Sequence, residues 1–168
     1  MPKKVKPKKR TTWLGELGNL VFSLVICQAT GALGAIATMP SIPTWYAGLA
    51  KPSFNPPNWI FGPVWTTLYL MMGISLYLVL RRGLRRNGVS VAVFALQLAL
   101  NSSWSVVFFG LHRPDWAFAV ILALFAAIVW TILRFARTSM WAGLLLVPYA
   151  GWVSFATVLN LAIWRLNP

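Results

Sequence analysis

The residues that could do chemistry are few. The chain holds two carboxylates, Glu16 and Asp115, one histidine, His112, and one cysteine, Cys27. General acid–base catalysis needs titratable groups within hydrogen-bond reach of the reacting atoms. Glu16 and Asp115 stand at opposite ends of their apolar stretches and make no such pair. His112 lies beside Arg113 in a short polar break and reads as a surface residue rather than a ligand. A single cysteine excludes an intramolecular disulfide and a cysteine-based zinc site. No GxxxxGK[ST] segment is present to cradle a nucleotide. No Asp, Glu, Lys or Arg stands inside an apolar stretch as a proton or ion relay, and no serine or tyrosine has a visible base to activate it. A conventional hydrolase, metalloenzyme or proton-coupled pump is disfavoured, and no cofactor is called for.

What remains is an inventory of amides and aromatic rings. At about 100° per residue, Gln97, Asn101, Trp104 and Phe108 share one helical stripe. Trp65, Tyr69 and Met72 form a second, and Tyr149, Trp152, Ala156 and Asn160 a third. Apolar, aromatic walls with a few polar anchors are the usual lining of a small-molecule site. The plain alternative, that these side chains glue helices and fill a core, stays open on the pattern alone. Opposite the first stripe lie Ala92, Ala95, Ala99 and Ser103, small enough for another helix to approach, from the same bundle or from a second subunit.

These stripes must sit on elements, and the charges mark the elements out. Of 168 residues, 58% are hydrophobic and 10% charged, against about 25% charged in a soluble domain. Charge-free runs occupy 17–50, 52–80, 87–112, 116–133 and 138–164. About 20 helical residues cross the roughly 30 Å hydrocarbon core. The reading is an all-α membrane protein, a five-transmembrane-helix bundle, with helices near 13–38, 58–80, 89–110, 115–136 and 140–164. A β-barrel would need alternating polar and apolar positions, which the continuous run Ala117 to Val129 lacks. Pro148 is expected to kink the fifth helix. The single transmembrane domain spans 12–166, after a basic tail at 1–11 expected to be disordered. The connection 40–57 interleaves Pro40, Pro43, Pro52, Pro56 and Pro57 with Trp45, Tyr46, Lys51 and Phe54. It reads as a folded lid over the helix ends, with an interfacial tether as the alternative.

The net charge of +13 invites a nucleic-acid reading that its distribution rejects. Lys3, Lys4, Lys6, Lys8, Lys9, Arg10, Arg81, Arg82, Arg85, Arg86, Arg134 and Arg137 fall on one side of a five-span chain. Lys51, Arg113 and Arg165 fall on the other. That is the positive-inside asymmetry. It places the amino terminus in the cytoplasm and the carboxyl terminus across the membrane, with anionic lipid headgroups within reach of the tail. The apolar run Leu17 to Met39 exceeds the about 7–15 residues of a signal-peptide core, so the first helix is read as retained.

Longer motifs now stand out. Trp45-Tyr46-Ala47-Gly48-Leu49-Ala50-Lys51-Pro52-Ser53-Phe54-Asn55-Pro56-Pro57-Asn58-Trp59 runs into Phe61-Gly62-Pro63-Val64-Trp65 and Leu68-Tyr69. With Ala99-Leu100-Asn101-Ser102-Ser103-Trp104, Phe108-Phe109-Gly110, Pro148-Tyr149 and Phe155-Ala156-Thr157-Val158-Leu159-Asn160, it resembles the TspO/translocator protein family. Other names for that family are tryptophan-rich sensory proteins and peripheral-type benzodiazepine receptors.

The resemblance implies a five-helix bundle, commonly a homodimer, that binds porphyrins and other tetrapyrroles beneath its first loop. Carried over by motif, the lining is Trp65, Asn101, Trp104, Trp116, Trp152, Ala156 and Leu159. The family's animal sterol pattern wants Tyr after the Leu-Asn pair of the fifth helix. Leu161 stands there, so a bacterial-type member in a bacterial cell membrane is the better fit. The expected role is transport, sensing or regulation of a tetrapyrrole or other hydrophobic small molecule. The alternatives are an enzyme-like one, light- and oxygen-dependent breakdown of bound protoporphyrin, which needs no acid–base pair, and lipid or sterol binding.

Overall fold

A computed structural model describes residues 13–168; the expectation of a disordered basic tail at 1–11 lies outside the described residues. Seven α-helices follow in order: α1 Trp13–Thr38, α2 Trp45–Gly48, α3 Asn58–Leu80, α4 Leu84–Ser105, α5 Pro114–Ala136, α6 Met140–Leu144 and α7 Val147–Leu166. A π-helical turn, Val106–Gly110, extends α4, and no strand occurs among the described residues. Five spans are long and apolar enough to cross a bilayer: α1, α3, α4 with its π turn, α5, and α6 with α7. The molecule is a multi-pass, all-α membrane protein.

The charge-free runs locate the spans but not every end. The third span begins at Leu84 rather than near 89, so Arg85 and Arg86 lie inside the first turn of α4. Arginine at a helix end can run its stem along apolar surface and keep its head in water, so a charged residue does not mark where a helix stops. Gly83, at φ 98°, makes the reversal from α3 in a conformation that side chains other than glycine rarely adopt. The fifth span is broken, not kinked at its middle. α6 ends at Leu144, and Pro148 occupies the first turn of α7, where a missing N–H costs nothing.

In lipid no hydrophobic driving force holds helices together, and close packing of small residues takes over. α1 packs along α3 and also against α4, while α5 packs against α4, α6 and α7. At Gly73 an added Cβ would stand 3.0 Å from the Leu24 Cα, and at Gly143 2.8 Å from the Ala136 Cβ. Ser75 Oγ donates to the Ala142 carbonyl at 2.6 Å, tying α3 to α6. The inward stripe of α4 is buried at Gln97, Asn101 and Phe108, and the Gln97 amide meets no hydrogen-bond partner among the described residues. Ala92, Ala95, Ala99 and Ser103 are exposed on the outer face of α4.

Candidate functional site

A cavity of about 570 Å³ lies between α1, α3, α4 and α7, toward the end of the bundle carrying residues 40–57. Its walls are aromatic. Trp65 stacks on Tyr69, with ring centroids 5.5 Å apart, and meets Tyr149 edge-on at 6.2 Å. Phe61 meets Trp152 edge-on, and Trp152 leans on Phe155. Trp104 packs on Phe108 at 5.3 Å. The π turn inserts an extra residue into the helix, letting Phe108 and Phe109 both reach the lining. Such π turns are frequent at functional sites.

Polar groups hold these rings from behind. Tyr69 OH donates to Asn101 Oδ1, and Asn101 Nδ2 donates to Tyr149 OH at 3.0 Å. One amide therefore joins α3, α4 and α7. Trp104 Nε1 donates to Asn160 Oδ1 at 2.9 Å, while Asn160 Nδ2 donates to the Pro114 carbonyl at 2.7 Å. The Trp152 indole N–H has no acceptor among the described residues. Gly31 lets α1 approach Tyr69, since a Cβ there would fall 2.5 Å from the ring.

No charged side chain belongs to the lining. Among the described residues no group of three or more His, Cys, Asp or Glu could hold a metal ion. The arrangement suits the burial of a flat or bulky apolar molecule, with hydroxyl, amide and indole groups at its edges.

Residues 40–57 pack across this end. Ser41 Oγ donates to the Phe109 carbonyl at 2.6 Å. Trp45 stacks on His112 at 4.4 Å, and Phe54 meets Phe155 edge-on. Tyr46 is buried in the lining and donates to Asn55 Oδ1 at 2.9 Å. Burial pushes its phenol above the ordinary value, with the Asn55 hydrogen bond pulling the other way, so it remains a neutral donor at pH 7. Lys51 Nζ donates to the Ala47 and Leu49 carbonyls and lies over the Tyr46 ring at 4.7 Å. The Asn167 amide exchanges two hydrogen bonds with the backbone of Ala50, at 3.0 and 2.9 Å.

Sideways, the cavity is less enclosed. Ala32 of α1 and Met39 just beyond its end, with Trp59, Gly62 and Thr66 of α3, belong to the lining and are also exposed on the outer surface. The Gln28 amide donates to the Thr66 carbonyl at 3.3 Å across this gap.

A five-span bundle with an aromatic cavity under a proline-rich connection is met by the comparisons with known proteins. The TspO/MBR family model matches residues 23–165. The chain is 46% identical to the tryptophan-rich protein TspO of Archaeoglobus fulgidus, covering 89% of this chain and 97% of that protein. It is 48% identical to the tryptophan-rich protein TspO of Chlorobaculum tepidum, covering 91% and 98%. It is 42% identical to the human translocator protein, covering 73% and 75%.

The chain belongs to the TspO/MBR family.

In this TspO/MBR protein, Trp65, Tyr69, Trp104, Trp152, Ala156, Leu159 and Asn160, all read from the sequence as candidate ligand residues, line this cavity together. Asn101 and Tyr149 are buried behind Tyr69 and act on the cavity through it. Trp116 lies outside this lining. It is 66% exposed at the start of α5, with Arg113 over its ring, as expected of an indole at a membrane interface. Of the residues marked in the 40–57 connection, Trp45, Lys51, Pro56 and Pro57 are outside the lining, and Tyr46 is the one that enters it. Sequence reasoning missed the whole contribution of α1: Gln28, Gly31, Ala32, Gly34, Ala35 and Thr38. A small residue every three to four positions was the available signal.

Proposed function

We propose that this protein binds a porphyrin or other tetrapyrrole-like molecule in the aromatic cavity and acts in its transport, sensing or regulation. The observation that carries the reading is the uncharged, tryptophan-walled cavity of about 570 Å³, within the usual range of about 300–1,000 Å³ for small-molecule sites. The macrocycle lies among Trp65, Trp104 and Trp152, and residues 40–57 close the end as a lid. The exposed edges of the lining on α1 and α3 favour entry sideways from the lipid, which suits a ligand that partitions into membranes. The family names of the relatives, translocator and tryptophan-rich, accord with such a role. The protein sits in a bacterial cell membrane with its amino terminus cytoplasmic, as its charge asymmetry directs. It pairs as a homodimer through the exposed small face Ala92, Ala95, Ala99 and Ser103; it binds no nucleic acid.

The test is a titration of the purified protein in detergent with protoporphyrin, following tryptophan fluorescence with inner-filter correction. Saturable quenching is expected, weakened about tenfold or more in a Trp65→Phe, Trp152→Phe double variant. That figure corresponds to about 1.4 kcal/mol, roughly two aromatic contacts. Non-saturating quenching, or quenching identical in the variant, would rule the tetrapyrrole reading out.

A second reading has its own support in the three indoles on the cavity wall. Under light and oxygen, bound protoporphyrin would act as sensitiser and the tryptophans as electron donors. Illuminated spectra that change at the same rate in the double variant, with ligand still bound, would count against it.

A further inference from the structure

The opposite end of the bundle carries a concentration of cations that the fold does not neutralise. Arg82, Arg85, Arg86 and Arg137 are exposed there. The sequence contains only two acidic side chains. Glu16 is engaged by Arg81 at 3.3 Å and by Tyr77 OH at 3.0 Å. Asp115 is paired with Arg113 at the other end. Among the described residues the acidic side chains are thus engaged away from those four arginines, Glu16 by Arg81 and Tyr77 and Asp115 by Arg113.

The cations are also gathered by construction. Thr138 Oγ1 donates to Asn87 Oδ1 at 2.7 Å, and Arg134 Nε reaches Ser90 Oγ at 3.4 Å. These two hydrogen bonds sew the start of α4 to the end of α5. Arg86 precedes Asn87 and Arg137 precedes Thr138, and consecutive Cα atoms are about 3.8 Å apart. The backbones of both arginines are therefore anchored next to one hydrogen-bonded seam, and both side chains are exposed. The same end of the bundle also exposes apolar side chains at the start of α4, the last turns of α5 and the start of α6: Leu84, Leu133 and Trp141 are 58%, 57% and 72% exposed. A soluble phosphate has no use for those side chains, whereas acyl chains do.

We propose that this seam is a binding site for an anionic phospholipid. Arg86 and Arg137 hold the headgroup phosphate from two sides, Arg82 and Arg85 add to the positive field, and the Leu84, Leu133 and Trp141 surface takes the acyl chains. A guanidinium suits phosphate because its planar fork matches two oxygens at once. The site fixes α4 to α5 at the headgroup level, far from the aromatic cavity and independent of what that cavity binds.

The experiment uses the full chain, purified in detergent, with phosphatidylglycerol and phosphatidylcholine as probes and lipid retention read by native mass spectrometry. Each arginine near anionic lipid contributes about 1 kcal/mol. The Arg86→Gln, Arg137→Gln double variant should thus lose phosphatidylglycerol affinity about thirtyfold, and Arg137→Gln alone about fivefold. Phosphatidylcholine retention should stay unchanged. Arg165→Gln, at the opposite end, should lose less than about twofold, and millimolar inorganic phosphate should not displace the lipid. Undiminished phosphatidylglycerol binding in Arg137→Gln, an equal loss in Arg165→Gln, or displacement by inorganic phosphate would each overturn the proposal.

Discussion

At the arginine-bearing end of the bundle, the helices cross where glycine and alanine stand; at the 40–57 end, the same helices carry rings at the corresponding depth. Gly73 lets the Leu24 backbone come so near that a Cβ would meet its Cα at 3.0 Å, and Gly143 does the same for α5. Phe94 and Phe135 then stack at 5.4 Å and fill the remaining space. Toward the other end, Gly62 has no atom within 4 Å of where a Cβ would be, and the rings stand around a cavity instead of closing it. Small residues let helices pack to contact. Large rings fixed at their edges by hydrogen bonds act as struts and keep the helices apart.

The largest expected effect separates these two ends with one type of substitution. Gly73→Ala and Gly143→Ala push a methyl group into neighbouring backbone and should each cost about 2–3 kcal/mol, the range for overpacking. Gly62→Ala should change stability by no more than about 0.5 kcal/mol, as at an open surface site. Thermal unfolding of the three variants in one detergent checks this. A Gly62→Ala loss as large as that of Gly73→Ala would mean the 40–57 end is packed like the other.

Next in size is the strut itself. Asn101→Leu leaves the Tyr69 and Tyr149 hydroxyls without their shared partner. Interhelical hydrogen bonds in membranes average about 0.6 kcal/mol, with a maximum near 1.7, so two should amount to about 1–2 kcal/mol. Tyr69 carries Trp65 with it, so protoporphyrin affinity should fall as well. Asn101→Asp, which keeps an acceptor for Tyr69 OH, should retain more of that affinity than Leu. Equal losses in the two variants would show that the Tyr69 bond does not position the wall.

Much of this was legible before any coordinates, for reasons that can be traced residue by residue. Lipid forbids unpaired charge, so Lys51, Arg81, Arg113 and Arg137 fall in the gaps between spans. Amides on otherwise apolar helices must point inward, which located Asn101 and Asn160. The contribution of α1 was harder to read because small residues are spread among apolar ones from Leu17 to Ala37. The only marks of its inner face were the Gln28 amide and the small residues spaced three to four apart from Gly31. Phe109 was hidden by the π turn, since a stripe drawn at 100° per residue carries Phe108 and turns Phe109 away. Trp116 shows the converse. An indole in the first turn of a helix suits a membrane interface as well as a cavity, and in this fold it stands exposed with Arg113 over its ring.

The smallest expected effect bears on how the open end is reached. Residues 40–57 are clasped to the carboxyl end by the Asn167 amide, which pairs with Ala50 as a neighbouring strand would. Asn167→Ala removes both bonds at a half-buried position and should lower stability by only about 0.5–1 kcal/mol. If ligand leaves sideways between α1 and α3, the clasp is not on its path, and protoporphyrin dissociation should speed up less than about twofold. In the same stopped-flow measurement, Ala32→Phe should slow both association and dissociation, because it places a ring in the lateral gap while leaving the clasp intact. A tenfold faster release from Asn167→Ala, with Ala32→Phe unchanged, would move the exit to the 40–57 segment. The lid would then be the moving part, and the aromatic struts of α3 and α4 would serve only to hold the cavity open beneath it.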